Sequence, residues 1–460
     1  MNRLGGDASA YGAALAGGDY GEVYFESSDW TSARLEDGAV RDLGTGTERG
    51  LGLRLLKKTG AHLETFFASA QDFSPEAAAR LRARILPGGL TRGPEFAPAK
   101  RASPMCRLDP SCVALERKLA LLRDADRAAR ELSPLIRQVT ATYSDRRKDT
   151  RVLNSDGTDH SQRRVSTTLS VSVVAERDGM LQTGMEVLGA QRGFEIFDDG
   201  AVAAAARRAA ARALAKLDAP KAKAGEMCVV LAAAAGGTFI HEAIGHSLEV
   251  DHVQEGSSPA YRGKKGKAVA PETITVVDDP TLPYQRGSFV FDDEGTVARP
   301  TALVKDGVLS DFLYDRATAL REGISSNGHG RRESFSARPI PRMSNLYIAP
   351  GKHDPAEIIE TVKNGLLVTR MGGGQVDTAS GEFVFEVDEG WRIEHGQITC
   401  LVRDANLLGV GPEALRSIDR VGWDIGWGIG VCGKEGQNVA VSDGQPTIRM
   451  PTLVVGGSHD

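Results

Sequence analysis

The amino-acid sequence predicts an α+β fold. A mixed α/β N-terminal region of antiparallel hairpins and helices is expected to precede a β-rich C-terminal domain that carries an HExxxH helix. Three observations predict this arrangement. The 460 residues are enough for about three domains of ordinary size. Strand-like runs alternate with helical segments up to about residue 220, and glycine-rich short strands dominate the remainder.

The first unit, residues 1–90, is predicted to begin as an antiparallel meander. The strand-like runs EVYFESS, WTSARLEDG, GLGLRLL and AHLETFFA follow one another, and the second ends in an Asp-Gly turn. A helix is predicted over 74–86, where Ser74 is the N-cap and a proline follows it. The Gly/Pro-rich stretch 87–104 can sustain neither a helix nor a central strand, so it is the predicted linker.

The second unit, residues 111–220, repeats the combination of helices and hairpins. We expect a helix over 111–132 capped by Ser111, followed by alternating strands around an Asn-Ser-Asp-Gly turn. A further helix is predicted over 201–217. Three arginines of this helix are expected to face water: Arg207, Arg208 and Arg212.

The third unit, residues 223–457, is predicted to be a mostly antiparallel β domain with a few helices. Its hairpin signals are DDEGT, KDGVL and EHGQI, each with a glycine at the expected turn. The apolar segment 229–240 is expected to be buried, and at a dozen residues it is too short to cross a membrane. We therefore expect no membrane association.

Composition argues against several classes of protein. The 56 Lys+Arg and 61 Asp+Glu residues give a net charge of −5 with both signs interspersed. Direct nucleic-acid binding is therefore not expected. The 5 cysteines are an odd number without a CxxC pair, which argues against a disulfide framework. A reducing cytoplasm is the predicted location.

The most informative motif is GGTFIHEAIGHSLEVDH, in which His241 and Glu242 are followed by His246. On a regular α-helix, residues five apart lie about 140° apart around the axis, so their side chains cannot share one ion. A local π-turn would bring them to the same face. Gly245 is a residue that permits such a turn. The spacing therefore predicts a π-turn within the motif.

Two imidazoles beside a carboxylate are typical of zinc hydrolases, in which the imidazoles bind Zn²⁺ and the carboxylate serves as general base. A third protein ligand is needed, and the residues that follow the motif offer candidates. Glu249, Asp251 and His252 can act as ligands or as partners of the imidazoles. Cys432 lies in a predicted Gly-rich loop beside Lys434, which can favour its thiolate. The alternative for the whole motif is a solvated helix face.

Several blocks, in order along the whole chain, resemble the TldD members of the TldD/PmbA family, also called modulators of DNA gyrase. These blocks are HEAIGHSLE, YQRGSFVFDDEGTVARPTALVKDGVL, GHGRRESFSARPIPRMSNLYI, GGGQVDTASGEFVFEV and CGKEGQ. The resemblance implies a zinc-dependent metalloprotease subunit with His241, His246 and Cys432 as ligands and Glu242 as base. It also implies a dimer, formed with a second copy or with a PmbA-like paralogue.

The predicted function is therefore cytoplasmic peptide hydrolysis, with a zinc-bound water as nucleophile and Glu242 as its base. The expected substrates are peptides or unfolded protein segments, and the GGGQVDTASGEFVFEV run offers a strand edge on which they can pair. Three arginines can bind a peptide carboxylate or an oxyanion, or form structural ion pairs: Arg331, Arg332 and Arg342. The alternatives are a non-catalytic or structural zinc subunit and another zinc hydrolase, such as an amidase.

Overall fold

The structure is a computed structural model that describes residues 4–60, 62–87, 93–103, 106–377 and 379–458. The predicted linker, 87–104, lies partly outside these residues. No helix in the described part of the chain has both the length and the apolar character required to span a bilayer. The predicted α+β class is confirmed, with helices and mostly antiparallel strands in the first half and a β-rich second half.

One seven-stranded sheet dominates the N-terminal half. Its strands are β1 Tyr20–Glu36, β2 Ala39–Thr59, β3 His62–Ala70, β4 Lys100–Ala102, β5 Ile136–Asn154, β6 Asp159–Arg177 and β7 Met180–Ala190. The order is β3-β2-β1-β5-β6-β4, and β7 also pairs with β6. Strands from the first two predicted units thus form a single sheet. The two runs predicted as separate strands around Asp29 form one continuous strand, in which Asp29 pairs with Thr47 on one side and Arg147 on the other.

Three helices accompany this sheet: α1 Pro75–Ile85, α2 Leu115–Arg130 and α3 Ala201–Asp218. Ser74 caps α1 as predicted, since its hydroxyl accepts from the amide of Ala77. The predicted cap of α2 is wrong. Ser111 lies in a 3₁₀ turn and bonds Asp109, and the helix begins after Ala114. The helices α2 and α3 pack their alanine and leucine side chains against one face of the sheet.

The C-terminal half contains fifteen further strands among the described residues. They are β8 Gly225–Leu231, β9 Val276–Asp278, β10 Thr301–Lys305, β11 Val308–Leu309, β12 Gly330–Arg331, β13 Ile340–Pro341, β14 Asn345–Ile348, β15 Asn364–Val376, β16 Glu382–Glu394, β17 Gln397–Val402, β18 Ala405–Val410, β19 Arg420–Val421, β20 Gly426–Lys434, β21 Gln437–Gln445 and β22 Ile448–Gly456.

Most of these strands belong to two larger sheets. A six-stranded sheet has the order β11-β10-β9-β14-β21-β20. A seven-stranded sheet has the order β15-β8-β22-β18-β16-β17, with β19 paired to β22. In addition, β15 pairs with β16. This last pairing closes β15, β8, β22, β18 and β16 into a ring. The end strand β20 of the six-stranded sheet pairs with β21 on one side only among the described strands.

The helices of this half are short: α4 Thr238–Ile240, α5 Val250–Glu255, α6 Arg316–Glu322, α7 Pro355–Glu360 and α8 Gly411–Ser417. Between α4 and α5 the chain makes a π-turn over His241–Gly245 and a 3₁₀ turn over His246–Leu248. The apolar side chains of this segment are fully buried in the largest hydrophobic core, which also contains residues of both large C-terminal sheets. Packing against both sheets therefore fixes the position of the HExxxH segment.

Buried ion pairs join the N-terminal sheet to the C-terminal half. Arg54 on β2 contacts Glu22 at 3.0 Å and also contacts Glu294 from the C-terminal half. Arg332 pairs with the same Glu22. The expectation that Arg212 faces water is wrong, because its guanidinium is largely buried and bonds a glutamate of β7 and one of β16. Charged groups removed from water need such partners, so these pairs fix how the two halves pack.

Candidate metal centre

The HExxxH motif adopts the backbone that its spacing predicts. The π-turn over His241–Gly245 places the side chains of His241 and His246 on the same side, with ring centroids 5.1 Å apart. Gly245 keeps ordinary right-handed helical angles, with φ −53° and ψ −52°. Its lack of a side chain matters for packing, because a Cβ here would overlap the Met343 sulfur. The predicted π-turn is therefore confirmed, and close packing accounts for the glycine.

Strand β20 brings a third donor to the two imidazoles. Cys432 was expected in a loop, but it lies within this regular strand, and its Sγ is 3.4 Å from His246 Nε2. One donor atom from each of His241, His246 and Cys432 lies within 4.8 Å of the others, and all three residues are buried. Two nitrogens and a sulfur at this spacing suit a borderline-soft divalent cation such as Zn²⁺.

Two carboxylates orient the imidazoles. His241 Nδ1 is 2.7 Å from an oxygen of Asp443, and His246 Nδ1 is 2.9 Å from one of Glu249. A carboxylate accepts from Nδ1–H, which leaves the Nε2 lone pair available to an ion. Asp443 is not among the residues considered from the sequence. The KEGQ hairpin gave a usable signal, because antiparallel pairing of β20 with β21 puts Asp443 and Cys432 on one face.

The other candidate ligands are engaged elsewhere. The Glu249 carboxylate accepts from His246 and lies 3.1 Å from Lys434 Nζ. Asp251 is 2.7 Å from the same ammonium group, whereas His252 Nδ1 is 3.0 Å from the hydroxyl of Ser257. Lys434 therefore bridges Asp251 and the acid that holds His246. The expectation that the setting beside Lys434 exposes the Cys432 thiolate is wrong, because Cys432 is buried, and the histidines are what lower the pKa of its thiol.

Charges within the cluster favour a thiolate. Burial by itself would raise the pKa of Cys432, but hydrogen bonds and attraction from His241 and His246 lower it to about 5. Burial also opposes protonation of His246, yet the carboxylate of Glu249 and the thiol raise its pKa to about 9. A cation that binds here meets a formed thiolate and displaces protons from the imidazoles.

Glu242 differs from the other acids of the motif. Its side chain is partly exposed, and it makes no hydrogen bond or ion pair with another residue that the structure describes. Burial raises the pKa of Glu242 above its ordinary value, while His241 and His246 counteract this effect. A carboxylate with free lone pairs and a raised pKa beside a metal site is suited to accept a proton.

The three arginines considered from sequence have different positions. Arg332 forms the structural ion pair with Glu22, and Arg342 donates to the main-chain carbonyl of Cys432 at 2.5 Å. Arg331 donates to the carbonyls of Met343 and Ala440. Arg332 and Arg342 thus hold the frame of the site, while Arg331 lies at the wall of a neighbouring cleft.

The glycine run expected to offer a strand edge is already paired. Its residues 372–376 lie inside β15 and run antiparallel to β16 with several register shifts. The bulged glycines allow the ring of strands to bend sharply. In contrast, the edge of β20 opposite β21 has no strand partner within the described part of the sheet.

Enlarging Gly245 should disturb the site through packing alone. In Gly245→Ala the new Cβ meets fully buried Met343 and Leu346, so we expect a loss of about 1 to 3 kcal/mol in the free energy of unfolding. The backbone angles of Gly245 suit alanine. Alanine also reduces the conformational entropy of the unfolded chain, which offsets about 0.4 to 1 kcal/mol of this loss. Chemical denaturation measures the net loss. Gly373→Ala, with open space around its Cβ, is the control; equal stability of the two variants would contradict the packing argument.

Comparison with known proteins shows where this architecture occurs. Three domains of the PmbA/TldA metallopeptidase family match in order: domain 1 over 21–84, the central domain over 108–217 and the C-terminal domain over 224–457. A protein of Haemophilus influenzae named as a metalloprotease TldD homolog is 36% identical over 452 residues, covering 96% of this chain and 93% of that protein.

Two further comparisons extend this result. A zinc metalloprotease TldD homolog of Saccharolobus solfataricus is 31% identical over 345 residues, with 74% of this chain and 76% of that protein covered. A crystal structure from Thermotoga maritima shares the fold with a TM-score of 0.78 at 22% identity, covering 95% of this chain and 96% of that one. Since the matched domains span most of its length, the chain belongs to the TldD/PmbA family of metallopeptidases.

Proposed function

We propose that this chain is a zinc-dependent peptidase that hydrolyses peptide bonds in peptides or unfolded protein segments. The observation that carries the proposal is the buried cluster of His241, His246 and Cys432 beside an unpaired Glu242. A three-donor cluster with a free carboxylate at its side is the arrangement expected of a catalytic zinc centre. The named relatives, which are metalloproteases, support the same reaction class.

The donor set fits zinc. His241 and His246 would bind through Nε2 and Cys432 through its thiolate. When bound, the ion would supply Lewis acidity, which activates water and polarises the scissile carbonyl. A structural site would offer four protein ligands, whereas three donors meet here within the described residues. This difference favours catalysis over the alternative of a structural zinc subunit.

Side chains around the donor cluster would transfer the proton, orient the imidazoles and balance the charge of the site. Glu242 takes the proton from the attacking water and can return it to the leaving amine. Asp443 and Glu249 hold the two imidazoles in one tautomer and orientation. Lys434 balances the charge of Glu249, so this buried carboxylate remains ionised. Arg342 fixes the main chain at Cys432.

An extended substrate fits the edge of β20. This strand carries Cys432, and Val431 next to it is exposed, which leaves room there for another backbone. Gly426 and Gly428, in contrast, lie against the chain's own Ala233 and Gly236. A peptide that pairs there would present its main chain to the metal centre, and it must be unfolded over several residues. The amidase alternative uses the same centre, and it predicts small-amide cleavage without peptide cleavage.

The experiment compares one protein substrate in its folded form with the same protein after denaturation. We expect the zinc-loaded enzyme to cleave the unfolded form at least ten times faster, because only an extended chain can reach the edge. A chelator should stop cleavage and added Zn²⁺ should restore it. Equal rates for both forms, or cleavage that survives chelation, would contradict the proposal. Small amides serve as the comparison that identifies an amidase.

The working unit is proposed to be a dimer, formed with a second copy or with a PmbA-like paralogue. The support is membership of a family with two named branches. A partner subunit would cover the open side of the metal centre, so that folded proteins could not reach it. Light scattering of the enzyme alone and with a paralogue distinguishes the two forms, and activity of a persistent monomer would refute this part.

A further inference from the structure

A cleft of about 340 Å³ lies between the N-terminal sheet and the hairpin of β20 and β21. One wall is the sheet face opposite α2 and α3, where Trp30, Arg146 and Ser166 are cross-strand neighbours on β1, β5 and β6. The other wall includes Val431 and Ala440 from the hairpin. This volume matches that of pockets which accept small groups or a few residues of a ligand.

The charge of the cleft is strongly unbalanced. Among the described residues, six cationic side chains and two carboxylates line it. The cations are Arg146, Lys148, Arg164, Arg286, Arg331 and Arg332. Of the two acids, Asp145 is bound by Lys118 at 2.6 Å on the opposite face of the sheet, which leaves Glu333 alone. Three of the cations have carboxylate partners behind the wall: Lys148 pairs with Glu26, Arg164 with Asp293 and Arg332 with Glu22. The excess positive charge therefore rests on the other three.

Three of these arginines lack a carboxylate partner among the described residues. The Arg146 side chain makes no hydrogen bond or ion pair with any of them, and the guanidinium of Arg286 donates only to the carbonyl of Gly430, at 3.3 Å. Arg331 is 3% exposed, donates to two main-chain carbonyls and has no partner for its Nε. Burial lowers the pKa of Arg331 to about 10, and Arg164 adds to this effect. A guanidinium held out of water without a counter-charge, as that of Arg331 is, is costly unless a ligand supplies one. Arg146 and Arg286 are partly exposed, so a ligand can reach them.

The cleft lies next to the metal centre. Successive residues of a strand face opposite sides, so Cys432 faces the imidazoles while Val431, which is 61% exposed, faces the cleft. Arg331 also donates to the carbonyl of Met343, whose side chain packs against Gly245 of the HExxxH turn. A peptide paired along β20 would send alternate side chains toward the ion and toward the arginines.

We propose that this cleft binds a carboxylate of the substrate, so the peptidase prefers acidic peptides. The inference rests on the proposed function for the identity of the ligand. Arginine forks match a planar carboxylate with two parallel hydrogen bonds. The carboxylate can come from an Asp or Glu side chain near the scissile bond or from the C-terminus of the peptide. A long polyanion fits less well, because the chain carries a net charge of −5 and Glu333 stands at the wall.

The test measures binding separately from catalysis. Glu242→Gln enzyme, loaded with zinc, is titrated with fluorescent unstructured peptides that differ only in Glu or Gln at one position, each with a free or an amidated C-terminus. We expect the acidic member of a pair to bind about tenfold tighter, the size expected for a charge-assisted hydrogen bond partly exposed to solvent. The preference should weaken as salt rises. A difference in affinity between Glu and Gln peptides identifies a side-chain carboxylate as the ligand. A difference between free and amidated peptides identifies the C-terminal carboxylate.

Substitutions of cleft arginines test whether the preference for acidic peptides arises in the cleft. In Arg286→Gln and Arg146→Gln, the ratio of Glu-peptide to Gln-peptide affinity should fall toward one, and in active enzyme the change should appear in KM. Arg84→Gln removes an exposed charge on α1 and should keep the wild-type ratio. Thermal unfolding of each variant checks that the fold is intact, and Arg286→Lys should restore part of the preference.

The outcomes separate this proposal from the proposed function. If acidic and neutral peptides bind and react equally, the carboxylate site is refuted while peptidase activity stands. If no peptide is cleaved under any condition, the peptidase proposal fails, and the binding arm still decides the cleft. Tighter binding of a short single-stranded oligonucleotide than of the acidic peptide would also overturn the proposal, since it would identify a polyanion site.

Discussion

Replacing Glu242 by Gln is expected to leave zinc bound and to lower peptidase turnover by about 10² to 10⁴-fold, the contribution typical of a general base. The amide has the size of the carboxylate but cannot accept the proton of the attacking water. Because Glu242 makes no hydrogen bond with another described residue, the substitution breaks no structural contact. Turnover of an unfolded peptide and zinc content by elemental analysis are the two measurements.

The matched control is Glu255→Gln, which removes an exposed carboxylate at the end of α5. It should retain wild-type turnover and zinc. Unchanged turnover in Glu242→Gln would refute the assignment of the base. Loss of zinc together with activity would show that Glu242 maintains the shape of the site instead.

Local rules explain which parts of this site could be predicted from the sequence. The i, i+5 spacing of His241 and His246 is a property of one helical segment, so the hypothesis that both bind one ion was enough to predict the π-turn that the structure contains. The hairpin turns at Asp37-Gly38 and His395-Gly396 likewise follow from residues that accept positive φ, and both are present.

Features that depend on distant pairing could not be predicted in this way. Asp443 becomes the partner of His241 only through the register of β20 and β21 and their position beside the motif. Arg212 looks like a solvent-facing residue of α3, yet it is buried because β7 and β16 bring glutamates to it. The arginine cleft also combines residues far apart in sequence. Periodicity describes one element at a time and holds no information on these contacts.

Cys432 lies far from both histidines in the sequence, so its role as a ligand depends entirely on tertiary structure. This role is therefore the part of the metal-site proposal that most needs a direct test. In Cys432→Ser a hard hydroxyl that stays protonated replaces a thiolate whose pKa is about 5. Loss of an outer partner of a zinc ligand typically weakens binding 10- to 100-fold. Removal of a ligand itself should cost at least about 100-fold in zinc affinity.

Two measurements test this expectation for Cys432→Ser. Competition with a chelator of known affinity gives the zinc dissociation constant, and thermal unfolding with and without Zn²⁺ reports the same binding as stabilisation. Wild type should gain stability on adding zinc, and the variant should gain much less. Cys228→Ser, which changes a half-buried cysteine of β8 outside the donor cluster, is the control and should behave as wild type. Full zinc affinity in Cys432→Ser would exclude the thiolate as a ligand and leave Glu249 or His252 as the third donor, which would require Glu249 to leave Lys434 and His246.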